Sequence, residues 1–331
     1  MRTSSVTASA VALGIALAAV VTTSVGVAPA EAAPSCSGDH ITVGDLARGC
    51  VVDRGTIALP DGRRFAVPAA GTTVSALPVA AAGGHDTGDV SITNTGRAGV
   101  AVSLEDVWSG SPAAIRQVRA VHEGLVRGGT TAHPMAATTT KAAPTSSCTN
   151  RSYALLGYRW NTTIRWSSNP AGARAADAAA IRAGANAWTG TIAVCGRSIT
   201  SNVRNTYLGT TNQAPAVSAN GGCGTPNGAN TTGWGALRSG TLATTCVWSR
   251  SGVAVEVDQR YTTAYAWSSS ATCSGAKFDL RGVATHEWGH AYGLGHTTQA
   301  SGLVMKPAST QCDVAQRTLG LGDAFGIDVR N

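Results

Sequence analysis

A mixed α+β fold is predicted by three features of this 331-residue chain. Short alternating apolar runs are separated by turn residues, two segments carry helical periodicity, and the composition changes after a Thr/Ala/Pro-rich stretch. At 43% hydrophobic and 13% charged residues the chain is too apolar to be disordered over most of its length. The formal charge of +7 comes almost wholly from arginine, since Lys141, Lys277 and Lys306 are the only lysines. It is scattered, with no basic run interleaved with aromatics, so nucleic acid is not an expected partner. A mild attraction to anionic surfaces is the most this charge supports.

The elements follow in chain order. Arg2 precedes the apolar run Val11–Val21, and Ala30-Glu31-Ala32 supplies small residues at the spacing of a leader cleavage site. Residues 1–32 are therefore expected to be a signal peptide, cut after Ala32. The apolar run is too short to span a membrane, so no membrane partner is expected after cleavage. Residues 33–129 read as a small β-rich segment, a propeptide or an accessory module. Within it, GTIALPDGRRFAVP is a hairpin around Pro60-Asp61-Gly62, and GDVSITNTGRAGVAVSL repeats the pattern. A helix should then start at Pro112, with Ser111 as N-cap and Ile115, Val118, Val121 and Leu125 on one face, ending at Gly128 and Gly129. Residues 130–147 lack apolar periodicity and read as a linker. Residues 148–331 form the main domain. Strands are expected in YRWNTTIRWSS and GVAVEVDQRYTT, and a helix with Ala179, Ile181, Ala185 and Trp188 near one face.

Eight cysteines, an even number, fit a disulfide framework in an oxidising compartment. Their pairing is not determined by sequence. The simplest expectation is sequential: Cys36 with Cys50, Cys148 with Cys195, Cys223 with Cys246, and Cys273 with Cys312. A secreted, extracellular, monomeric protein is expected.

Three of the seven histidines fall in Thr285–His296, THEWGHAYGLGH. Asp279 is a suitable N-cap for a helix from Leu280 to Tyr292, on which His286 and His290 stand at i and i+4 on one face. Two imidazoles at that spacing suit zinc, which takes nitrogen ligands at about 2.0–2.1 Å. On a straight helix His296 would lie roughly 15 Å beyond His286. Gly293 can break the helix with a positive φ and bring the third imidazole back. Three protein ligands leave a position open for water, the mark of a catalytic site, and Glu287 stands beside the first ligand as a general base. Peptide-bond hydrolysis with one catalytic Zn²⁺ is the chemistry this pattern predicts. A binding or adhesion module with structural zinc, and a zinc amidase acting on cell-wall peptides, are the alternatives.

These residues resemble the metzincin metalloendopeptidases, in particular the matrixin-like secreted enzymes of bacteria. Met305, in Val-Met-Lys-Pro nine residues after His296, stands where metzincins place the methionine turn beneath the zinc. The resemblance implies a twisted, mostly parallel sheet, a long active-site helix, the methionine turn, and protein or peptide substrates. It also implies that VAVEVDQRYTT is the edge strand along which substrate pairs. Thr297 follows the third ligand where matrixins commonly carry Ser, and no Tyr closely follows Met305. No ligand set for a second structural zinc is evident, and calcium stays open. The stretch Cys223-Gly-Thr-Pro is similar to the latency motif of animal matrixin propeptides, but it lies after the linker and is read as a disulfide partner.

Overall fold

Residues 36, 38–84, 87–126, 147–173 and 177–330 are described by a computed structural model. The expected leader and nearly all of the expected linker lie outside the described residues, as do Gly128 and Gly129. The described residues from Cys36 to Arg330 pack as one unit. Its frame is a ten-stranded sheet whose main path runs Asn205–Thr210, Ile164–Ser168, Asn230–Gly235, Val253–Thr262, Thr241–Arg250, Thr72–Ala81, Val90–Asn94, Val100–Leu104 and Val107–Gly110. The fold is thus mixed α/β, as the sequence predicts. The mostly parallel ladder holds only within 148–331. The first four strands of the path are parallel, and every later neighbour on it is antiparallel.

The strand register follows from alternation of side chains between two cores. Along Thr241–Arg250, Ala243 and Val247 face the cluster that holds Trp188, Trp288 and Met305, whereas Cys246 and Trp248 face a second cluster around Ile57, Phe65, Ile92 and Val102. This second core belongs mainly to the segment before the linker. It is completed by Val217, Leu237 and the Cys223–Cys246 bridge from beyond the linker. The two predicted hairpins form, Thr56–Ala58 with Arg64–Ala66 and Val90–Asn94 with Val100–Leu104. The helix Pro112–Val126 forms as well. The Ser111 hydroxyl, just before it, donates to the Ala98 carbonyl (2.6 Å).

Two strand expectations need correction. Val253–Thr262 is not an edge strand, because it is flanked by Asn230–Gly235 and Thr241–Arg250. The rim of the 148–331 sheet is Thr241–Arg250, and that rim is itself covered by Thr72–Ala81, a strand with no counterpart in the sequence reading. Pro78 hides it, since a proline inside an apolar run argues against a central strand. Here Pro78 lies opposite Thr244, next to an irregularity between the Thr241–Ala80 and Ala243–Val79 pairs. Ala80 N and Ala82 N donate on the side away from Thr241–Arg250, so the N–H that Pro78 lacks falls on that side, between the last pair with Val90–Asn94 at Ala76 and the first with Ala308–Ser309 at Ala80.

Four disulfides join the cysteines in sequential order, Cys36–Cys50, Cys148–Cys195, Cys223–Cys246 and Cys273–Cys312. Buried carboxylates fasten the loop between Asn205–Thr210 and Asn230–Gly235. Asp258 accepts from Ala216 N (2.6 Å) and Thr231 N (2.8 Å), and Glu256 from Asn227 N (2.8 Å). Burial pushes the Asp258 carboxyl up from 3.8 to about 7, against the pull of those two donors. Between those values the folded chain keeps a proton that the unfolded chain has lost. The contribution of Asp258 to stability is therefore fully present below about pH 4 and is lost as pH rises towards 7. Urea midpoints measured from pH 4 to 8 are expected to fall less steeply for Asp258→Asn than for the parent chain; equal slopes would contradict the assignment.

Candidate metal centre

The site helix spans Leu280–Ala291, one residue short of the expected end, with Tyr292 as C-cap. Asp279 caps its start, accepting from Gly282 N (2.7 Å), as its short acidic side chain predicts. At the other end, Tyr158 Oη and Trp160 Nε1 donate to the His290 and Ala291 carbonyls, each at 2.7 Å. These bonds satisfy groups that a helix terminus leaves unpaired. Gly293 takes φ 99°, the left-handed conformation expected of it. A Cβ there would meet the Tyr158 carbonyl oxygen at 2.6 Å, so glycine is needed for space as well as for backbone freedom. Gly293 N donates to the His290 carbonyl (2.8 Å), and the chain turns back through Leu294–Gly295, which pairs with Ala154–Leu155.

This turn brings His296 to His286 and His290. Its Nε2 lies 3.1 Å from His286 Nε2 and 3.2 Å from His290 Nε2. Ligands at about 2.05 Å in a tetrahedral array would stand about 3.3 Å apart, so the three nitrogens have the separation that a zinc ion requires. The opposite ring nitrogens support the same reading. His286 Nδ1 faces the Val304 carbonyl and His290 Nδ1 the Leu294 carbonyl, both at 2.8 Å. Nδ1–H donation to these carbonyls puts the Nε2 lone pairs towards one another, an arrangement that a cation at their centre relieves. Burial first, then neighbouring histidines, holds both imidazoles well below their ordinary value of 6.5, as neutral ligands must be. Among the described residues, these three form the one His/Cys/Asp/Glu cluster with this geometry.

Glu287 lies beside the cluster without joining it. The Thr245 hydroxyl donates to Oε2, while Oε1 is buried with no hydrogen-bond partner. Burial pushes this carboxyl up from 4.5 to about 8, opposed by the Thr245 hydrogen bond. A buried carboxylate oxygen with nothing to accept from is an acceptor for a polar group carrying a proton. Met305 packs under the helix between the two ligand positions: a Cβ on Gly289 would fall 2.3 Å from its Sδ. Its own backbone is fixed by Asp323, which accepts from Val304 N (3.0 Å) and Met305 N (3.3 Å). The structure thus gathers His286, His290, His296, Glu287, Gly293 and Met305 around one point. The eight cysteines lie in the four bridges instead.

Two residues at this centre have no signal in the sequence reading. Thr245 comes from the rim strand, and only strand pairing shows that it reaches Glu287. Asp89 comes from the segment before the linker, and its Oδ1 lies 3.2 Å from His296 Nδ1. The contact is electrostatic, because Oδ1 is buried and accepts no well-aligned hydrogen bond.

No curated protein matches the chain. The family model of the matrixin peptidases matches residues 238–329, less than a third of the chain, a stretch that contains the rim strand, the three histidines, Glu287 and Met305. Over that stretch the chain is similar to the zinc metallopeptidases of the metzincin type.

Proposed function

We propose that the protein is an exported zinc endopeptidase, with His286, His290 and His296 as ligands of one catalytic zinc and Glu287 as general base. The observation that carries this reading is the convergence of three Nε2 atoms beside a buried carboxylate with one unpartnered oxygen. A bound zinc would supply an acidified water and polarise the scissile carbonyl. Glu287 takes the proton of the attacking water and passes it to the leaving amine. Thr245 holds the other carboxylate oxygen, and Met305 and Trp188 support the helix from below. Zinc kept only for structure would have no use for that free oxygen, which favours catalysis over a binding module. The rim strand Thr241–Arg250 pairs by its backbone with the extended segment Thr72–Ala81, a mode of pairing that favours proteins over cell-wall cross-links as substrates. Four disulfides fit export, and among the described residues no helix is long and apolar enough to cross a membrane.

The test is elemental analysis together with hydrolysis of an unfolded protein, on the intact chain and on chain cut within the expected linker, 130–147. One zinc per chain is expected. Chelation should abolish hydrolysis and zinc re-addition restore it, and His290→Ala should bind no zinc. Hydrolysis indifferent to the chelator would defeat the proposal.

A further inference from the structure

Asp177 is the single acidic residue between Glu123 and Glu256, and it is buried. The arginines of this stretch are scattered, but no other carboxylate stands among them in sequence. Arg165, Arg182, Arg197 and Arg204 are all exposed. Arg182 lies over the ring of Tyr207. Among the described residues, the guanidinium groups of Arg165 and Arg204 have no hydrogen-bond or ion-pair partner.

Both of these arginines stand at one groove. It has a volume of about 470 Å³, within the range of small-ligand sites, and lies where the hairpin of Gly190–Val194 with Arg197–Ser201 meets the start of Asn205–Thr210. Arg204 lines it, as do Thr163, Thr200, Ser201, Asn205 and Thr206. Arg165 borders it: Arg165 is opposite Thr206 in the parallel pair of Ile164–Ser168 with Asn205–Thr210, so the two side chains share a face. Ile164 N donates to the Arg204 carbonyl (2.9 Å), which keeps the two arginine-bearing stretches side by side. On each stretch an arginine stands two residues from a threonine, Thr163 with Arg165 and Arg204 with Thr206. The Ser201 hydroxyl is buried and has no hydrogen-bond partner. Asn205 is held firmly: it accepts from Trp166 Nε1 (3.0 Å) and donates to Oη of Tyr292 (3.0 Å), the C-cap of the site helix.

A guanidinium grips a carboxylate through two parallel N–H bonds. Hydroxyl groups both donate and accept, which is what the hydroxyls of a sugar require of their partners. Among the described residues no carboxylate and no aromatic ring lines the groove, so a single nucleic-acid strand would find nothing to stack on. We propose that this groove is a binding site for an acidic polysaccharide, a sugar chain bearing carboxylates. Arg165 and Arg204 take the carboxylates, and the neighbouring threonines take the hydroxyls. None of these residues belongs to the metal centre, so binding needs neither zinc nor Glu287.

The test is calorimetric titration of the full chain with hexagalacturonate at low salt, with maltohexaose and a thymidine hexanucleotide alongside. Hexagalacturonate is expected to bind, equally well with and without a chelator, and maltohexaose at least about 10-fold more weakly. Arg165→Gln combined with Arg204→Gln should lower the affinity at least about 10-fold, the scale of a lost charge-assisted hydrogen bond, and should melt like the parent. Arg116→Gln combined with Arg119→Gln removes the same charge from exposed positions of the helix Pro112–Val126 and should leave affinity within about 2-fold of the parent. Failure of hexagalacturonate to bind overturns the proposal. Equal losses in the two double variants overturn the groove as the site. Tighter binding of the hexanucleotide than of hexagalacturonate overturns the polysaccharide as its occupant.

Discussion

Replacing Glu287 with alanine is expected to leave one zinc per chain and to lower peptide hydrolysis by about 10³-fold or more, measured on chain cut within 130–147. The two effects separate because Glu287 is adjacent to the histidine cluster but outside it. The three ligand nitrogens and the carbonyls that orient His286 and His290 are untouched by the change. What disappears is the Oε1 that has no partner of its own and the acceptor of the Thr245 hydroxyl. Zinc content by elemental analysis and initial rates on one substrate decide the matter together. A parent-like rate would remove Glu287 from the chemistry, and loss of zinc would place it among the ligands.

The second large effect is expected at a residue that touches neither metal nor substrate. Gly184, on the helix Asp177–Asn186, meets the site helix at its closest point: a Cβ there would lie 2.7 Å from both Ala284 C and Thr285 N. These are backbone atoms, so no rotamer change relieves the clash, and the two helices must separate. Gly184→Val is expected to cost about 3 kcal/mol. That lowers the thermal midpoint by roughly 5 °C for a chain of this size. Because His286 is the next residue but one after Ala284, zinc affinity should fall as well. Gly184→Ala should show the same two changes at smaller size. A parent-like melting curve for Gly184→Val would mean that this helix contact is not tight.

The metal centre was legible in the sequence wherever its logic is local. His286 and His290 are paired by helical spacing, Asp279 by its capping role, and Gly293 by the backbone conformation it alone adopts freely. Each of these is a property of a dozen consecutive residues. Thr245 and Asp89 were not legible, because their place depends on strands brought together from distant parts of the chain. The edge-strand expectation failed for the same reason. Val253–Thr262 alternates as a strand should, but alternation does not say what lies on either side of it. Thr72–Ala81 escaped because Pro78 breaks the pattern, and only the gap between its pairing with Val90–Asn94 and with Ala308–Ser309 shows how a sheet tolerates it.

The pairing of Thr72 with Arg250 also bears on the order in which the molecule assembles. The two strands come from the first and last thirds of the chain, and such distant pairing forms slowly. Until it forms, Thr241–Arg250 presents an open row of N–H and C=O groups along a strand whose side chains are nearly all buried in the finished fold. That is the kind of edge on which chains stack onto one another. The segment made first is therefore the natural shield for the strand made later, so a chain started at Cys148 would have to fold with that edge bare and should be the more prone to aggregate.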